Sequence, residues 1–409
     1  RLAAALWYFW FVRGYLGEGR RWLTALLAAA AAAASDGAPA GSARSQALSG
    51  AGALARLQGD YADARAFYEL SRALREQMGD RQGAAAALGD IGLVDYNVGD
   101  YGTARVRLNQ SIEALRGMGD TRSLALSLNS LGMVAAEQGD YAAAHALYEE
   151  SIALQRKHGD RHGIAMAVNN LGIVAAHRGD LQAARTLWEE GLAIRRELGD
   201  RRGVALTLHN LAFVSYREGD KDTATARFEE SLIAFRKLGD RHGIALSLSQ
   251  LGGIAAERGD YPAARALLEE SLAMQRQSGN RQGIANVLEG LGGLACDQGD
   301  AAAAKVFLEE ALRIAGELGD RLAIAAALEG VARVAAMSST PERAARLWGA
   351  AAKLREDIGA PHVATEQAQH ARRIASARAA QGDDAQFDAA WLEGRAFSAE
   401  QAIGEALRE

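Results

Sequence analysis

The stretch RHGIAMAVNNLGIVAAHRGDLQAARTLWEEGLAIRRELGD, residues 161–200, decides the fold. Two Gly-Asp dipeptides, Gly179-Asp180 and Gly199-Asp200, cut it into halves of 20 residues. In the first half Ile164, Val168, Leu171 and Val174 recur at helical spacing, and in the second Ala184, Leu187, Trp188 and Leu192 do the same. Glycine readily takes the left-handed conformation that closes a helix, and aspartate accepts hydrogen bonds from the free amides that open the next. Each dipeptide therefore ends one amphipathic helix and starts another, so 40 residues make one helical hairpin.

Outward from this stretch the same punctuation runs from Gly59-Asp60 to Gly319-Asp320, with one substitution at Gly279-Asn280. Two half-patterns alternate between the marks: Tyr101, Tyr141 and Tyr261 stand in one phase, Arg161, Arg201, Arg241, Arg281 and Arg321 in the other. First helices carry large-small pairs such as Leu131-Gly132, Leu171-Gly172, Leu211-Ala212 and Leu251-Gly252. Second helices carry a small residue (Ala104, Ala144, Ala184, Ala224) with a bulky one four positions on (Leu108, Tyr148, Trp188, Phe228). Small residues let helix axes approach, and the bulky ones fill the groove between hairpins.

These pairs resemble the tetratricopeptide repeat (TPR), which implies an all-α, right-handed solenoid of stacked antiparallel hairpins. The usual unit is about 34 residues and ends near a proline, whereas these units are longer and lack it; we read the difference as longer second helices. The register gives a degenerate hairpin over 1–34, a flexible loop over 35–44, eight in-register hairpins over 45–359 and an irregular helical cap over 360–409. Stacked in this way, the hairpins are expected to form an elongated arc with one curved face left free for recognition.

The ends, AARLWGAAAKLREDIGAP from Ala344 and FDAAWLEGRAFSAEQAIGEAL from Phe387, together with WYFWFVRGYLGEGRRWL from Trp7, resemble the C-terminal sensor region of bacterial signal-transduction (STAND-type) ATPases, including large ATP-binding LuxR-type transcription regulators. That resemblance implies an ATPase core upstream and a peptide, protein or small inducer bound in the concave groove. The chain opens at Arg1 rather than methionine, so a further segment is expected before it.

Composition narrows the partners. A net charge of -5 with both signs interspersed carries no footprint for nucleic acid or an anionic membrane. The apolar run from Leu2 to Val12 is far shorter than the roughly 20 residues of a membrane span and reads as a buried helix. One cysteine, Cys296, admits no internal disulfide and points to the cytoplasm. No cofactor is expected.

Candidate chemistry is sparse. The phosphate-loop pattern is absent, and Gly50-Ala51-Gly52-Ala53-Leu54-Ala55 falls in repeat register with no strand before it. Paired glutamates such as Glu149-Glu150 and Glu189-Glu190 recur in five successive units and read as solvated rather than catalytic. Arg185 to Glu189 and Arg265 to Glu269 have ion-pair spacing, and Arg161 and its equivalents are expected to reach the paired glutamates of a neighbouring helix. The eight histidines form no ligand cluster, and no metal or catalytic site is assigned.

What remains is the concave face, where the scaffold phase holds changing residues: Asn129 and Met133, then Asn169, Asn170 and His177, then His209, Asn210, Phe213, Tyr216 and Arg217. The TPR resemblance makes Asn170 and Asn210 candidates to hold a ligand backbone, with interhelical hydrogen bonding as the alternative. Phe213 and Tyr216 beside His209 and Arg217 form the expected anchor pocket. The function expected is therefore a non-catalytic sensor module, with a free-standing adaptor as the rival.

Overall fold

A computed structural model describes residues 6–10, 15–32, 38–362 and 364–408, and among them every regular element is a helix. Eight hairpins follow one another, from hairpin one (Ala38–Leu57 with Tyr61–Gln77) to hairpin eight (Arg321–Met337 with Pro341–Ile358). Hairpin four, Arg161–His177 with Leu181–Leu198, is typical: its helices have 17 and 18 residues, so the extra length is not confined to the second helix as the sequence suggested.

The Gly-Asp mechanism is visible at most junctions, Asp60 being an exception whose side chain makes no cap hydrogen bond. Gly159 closes the preceding helix at φ 66°, and the Asp160 carboxylate accepts from the Gly163 amide at 3.0 Å. Asn280 caps in the same way, through Gly283 at 3.1 Å. Between helices the expected interlock forms: Ala184 and Trp188 are buried, and a Cβ on Gly172 would run into the Trp188 indole. The large-small pair is thus a socket for the bulky residue of its own hairpin.

The N-terminal helix Leu16–Ala32 packs Leu23 against Ala51 and Leu54 of hairpin one, and Trp10 joins the same cluster. Residues 1–5 and 11–14 of the Trp7 and Leu2 segments lie outside the described residues. The loop expected over 35–44 is helical from Ala38 onward, where the first helix of hairpin one begins; residues 33–37 lie outside the described residues. No described helix is long and apolar enough to cross a membrane.

The elongated open arc is corrected. Gly59, Gly99 and Gly139, each between the two helices of hairpins one, two and three, meet Ser278, Leu318 and Ile358 at the ends of hairpins six, seven and eight. The array winds through a full turn in about five hairpins and closes on itself. Leu318 is buried with Tyr101, Ala104, Leu108 and Val134, and Ile358 with Tyr141, Tyr148 and Val174. The concave face becomes the wall of a wound groove.

Past hairpin eight come helices Ala364–Gln381, Asp384–Arg395 and Ala399–Ala406. Gly349 and Gly394 let the second of these cross hairpin eight so closely that a Cβ on either would meet backbone of the other helix. That crossing holds the position a ninth hairpin would take.

Candidate functional site

In the first helices of hairpins four and five a stripe four and three residues apart (Met166, Asn170, Ile173, His177; then Leu206, Asn210, Phe213, Arg217) remains partly accessible. Asn169 and His209, one position before Asn170 and Asn210, turn about 100° away and are buried. The structure therefore splits the expected site residues. Asn129, Asn169 and His209 are buried, while Met133, Asn170, His177, Asn210, Phe213, Tyr216 and Arg217 reach the wall.

His209 is a packing residue, not part of the anchor pocket. Its ring meets Phe228 edge-on at 4.9 Å, and Nδ1 lies 3.4 Å from the Ser247 hydroxyl. Burial, with His242 nearby, pushes it down to about 3, so it stays neutral across ordinary pH. Asn169 is likewise held from several sides: Arg195 donates to its side-chain oxygen at 3.3 Å, and the Trp188 indole donates to its carbonyl at 3.0 Å.

The amides form a ladder between neighbouring first helices. Asn170 donates to Asn129 at 3.2 Å and Asn210 to Asn169 at 3.0 Å, each reaching back 41 residues. This is the interhelical hydrogen bonding that the sequence left open. It also fixes where Asn170 and Asn210 present themselves, and an amide carries two N–H groups and two acceptor lone pairs in all.

Around the expected anchor pocket, the Arg217 guanidinium stands 5.3 Å over the Phe213 ring, and the Tyr216 hydroxyl donates to Glu257 of the next hairpin. Burial first, and then the Glu257 carboxylate, hold the Tyr216 hydroxyl well above its usual range. His177 stacks on Tyr141 at 5.7 Å. Burial, then Arg217 and Arg355, bring His177 down to about 4. Arg217 also faces Glu366 at 3.5 Å, so the first turns of helix Ala364–Gln381 lean on the wall of hairpin five.

That contact leads to a cluster the sequence reading missed. Glu329 of hairpin eight takes a two-pronged contact from Arg355, at 2.6 and 3.2 Å. His362 places Nε2 3.1 Å from Glu329 and Nδ1 3.4 Å from Glu366. Its ring lies 4.6 Å from that of His370, whose other neighbour is Trp348, edge-on at 6.3 Å. Burial opposes ionisation of Glu329, but the His362 hydrogen bond and Arg355 bring its carboxyl down to about 2. Burial works against the His362 cation too, and its two carboxylate partners overcome it and raise its pKa.

The expectation that no histidines gather is therefore corrected: His362 and His370 meet Glu329 across 33 and 41 residues of chain. One signal was present, because His362, Glu366 and His370 recur every four residues, although His362 stands in the connector just before helix Ala364–Gln381. Cys296 is buried, and its thiol is pushed up by burial.

The surface ion pairs also differ from expectation. Arg161 pairs with Glu197 at 2.6 Å rather than with a doubled glutamate. The second glutamates Glu150, Glu190, Glu270 and Glu310 are taken by Arg116, Arg156, Arg236 and Arg276, each at the end of the preceding second helix. Arg265 does reach Glu269 at 3.7 Å, whereas Arg185 turns to Glu218 at 2.5 Å. Stacking offers these side chains partners in the next hairpin that spacing within one helix cannot reveal.

A tetratricopeptide-repeat family model matches residues 43–117, 163–237 and 203–277, and a second tetratricopeptide-repeat model matches 124–162. A model for anaphase-promoting complex subunit 5 matches 252–337. No curated protein matches the chain significantly. A solved Rap protein in complex with competence and sporulation factor is 12% identical, with a TM-score of 0.64 over 87% of this chain and 97% of that one. A Rap conjugation gene regulator of the plasmid pLS20, solved with a peptide, is 16% identical, with a TM-score of 0.56 over 77% and 94%. Aspartyl phosphate phosphatase F from Bacillus subtilis is 12% identical, with a TM-score of 0.51 over 67% and 70%. At these identities the likeness is one of fold: an all-α solenoid of tetratricopeptide repeats.

Proposed function

We propose that this array of tetratricopeptide repeats is a non-catalytic recognition module that holds a peptide or protein segment in its wound groove. The observation that carries the reading is the inner wall: an outer scaffold that repeats every 40 residues presents inward an amide ladder spanning hairpins three to five and Phe213 under Arg217, beside a Tyr216–Glu257 pair that recurs as Tyr96–Glu137. Extended peptides offer backbone N–H and C=O groups, and side-chain amides match both. Two structural neighbours are solved in complex, one with a peptide and one with competence and sporulation factor, which supports a binding role for this array.

The parent we propose is a cytoplasmic bacterial signalling ATPase or an ATP-binding LuxR-type transcription regulator, in which groove occupancy releases an upstream core. The rival is a free-standing adaptor, and the gene sequence ahead of Arg1 separates them: an ATP-binding core there supports the sensor, and another kind of domain supports the adaptor. The binding claim is tested by panning a peptide-display library on the chain and measuring the selected peptide by calorimetry. Asn170→Ala and Asn210→Ala should each weaken it about 3- to 10-fold, the size of one hydrogen bond. A library that yields no groove binder, or affinities unmoved by both variants, removes the reading.

A further inference from the structure

We propose that Glu329, His362 and His370 form a binding site for a borderline divalent metal ion of the zinc class, at the point where helix Ala364–Gln381 meets hairpin eight. The inference is independent of peptide binding. Each residue offers one ligand atom, and these atoms all lie within 4.8 Å of one another. Two metal–ligand bonds of about 2.1 Å at a tetrahedral angle set their ligand atoms about 3.4 Å apart. His362 Nε2 and Glu329 Oε1, at 3.1 Å, already stand at that separation. Rotation about side-chain bonds is enough to bring the His370 ring in.

The surroundings have the form that metal ligands need. A metal-bound imidazole usually gives its other N–H to a carboxylate, which fixes its tautomer and aims its free nitrogen. His362 does this: Nδ1 faces Glu366 at 3.4 Å while Nε2 faces Glu329. A ligating carboxylate is in turn oriented by a donor, and Arg355 grips Glu329 through both oxygens. Each carboxylate oxygen keeps a second lone pair, so the Arg355 fork and a metal can share the group. An ion there takes the place of the proton between His362 and Glu329, in a spot whose two carboxylates already favour a cation on the imidazole.

Two imidazoles and one carboxylate select against magnesium and calcium, which require oxygen ligands, and suit zinc, nickel or cobalt. Three protein ligands leave a fourth position for water, or for a carboxylate or imidazole of a segment lying in the groove. Because the ligands come from hairpin eight, the connector after it and helix Ala364–Gln381, an ion would pin that helix to the array.

The test uses the whole 409-residue chain stripped with a chelator, then titrated with cobalt by visible absorption and with zinc by calorimetry. One ion per chain with cobalt ligand-field bands is expected, and magnesium should give no heat. His362→Gln and His370→Gln retain size and polarity, so helicity by circular dichroism should hold while zinc affinity falls at least 10-fold in each. Glu366→Gln, which removes the carboxylate beside His362 Nδ1 and Arg217 without removing a ligand, should lose affinity about 10-fold through the imidazole it orients. Absence of cobalt bands, or unchanged zinc affinity in the two histidine variants, overturns the site and leaves these residues as an ion-pair network.

Discussion

Two kinds of seam hold this molecule, and they differ in how often they occur. The seam within a hairpin, Trp188 against Gly172 and Ala184, is written again every 40 residues with Tyr148, Phe228, Leu268 or Leu308 in the bulky role. The seam between successive turns of the winding occurs once, where hairpins one to three meet hairpins six to eight. A repeat array is stabilised chiefly by nearest neighbours. The winding adds a second set of contacts between units some 200 residues apart, so this array has a closure that an open arc lacks.

The sharpest way to separate the seams is to damage one of each. Trp188→Ala empties a buried socket inside hairpin four and should cost about 3–5 kcal/mol, read as an earlier denaturant transition in circular dichroism. Helicity itself should fall at moderate denaturant, because the hairpin is the folding unit. Leu318→Ala trims the inter-turn seam and should cost about 2 kcal/mol. Its signature is different: the radius of gyration in solution scattering should rise while helicity is kept. If Leu318→Ala melts helices as Trp188→Ala does, the two seams are one cooperative unit.

The seam between turns should also answer to pH. Glu137 of hairpin three receives the Tyr96 hydroxyl at 3.0 Å and feels Asp320 of hairpin eight; burial first, then Asp320, raise it from 4.5 to about 7. An acid held above its unfolded value opposes folding once it ionises. Its contribution is intact below about 4.5 and is lost as pH climbs to about 7. Glu137→Gln should therefore stabilise the closed winding at pH 8 by on the order of 1–2 kcal/mol and give no gain at pH 4.5. His177 and His209, held down near 4 and 3, act in the opposite direction on acidification. They are common to parent and variant, so the difference between the two isolates Glu137.

How much of this was legible follows the same division. Gly-Asp punctuation, the Ala184–Trp188 interlock and the eight hairpins could be read because each is local and repeated, so every unit confirms the next. The amide ladder was half legible: Asn170 and Asn210 stood out, but which of two adjacent asparagines faces inward depends on a turn of about 100° that the register alone does not fix. His209 was misplaced for that reason. The inter-turn seam was invisible, because Gly99 and Gly139 look like ordinary helix stops until Leu318 and Ile358 arrive beside them. The Glu329, His362 and His370 cluster joins the last hairpin to the segment past it, where no neighbouring unit supplies a comparison.

The smallest effect expected is at the most repeated surface feature. Arg161 and Glu197 sit 2.6 Å apart with side chains 51% and 61% exposed, and Arg321 with Asp357 repeats the arrangement at 3.4 Å. Exposed pairs of this sort gain little, because water screens the attraction and two long side chains must be held still. Arg161→Ala should change stability by less than about 0.5 kcal/mol, within the error of a denaturant titration. Arg161→Glu is the more telling variant, since it sets like charges against each other between neighbouring second-helix ends and first-helix starts. Its penalty should shrink when salt is raised from about 0.02 to about 0.5 M, as the screening length falls from roughly 20 Å to roughly 4 Å, close to the distance between the charges. A loss that ignores salt would mean that Arg161 contributes by packing its methylene stem, and the repeated arginine phase would then belong with the hairpin seam rather than with the solvated surface.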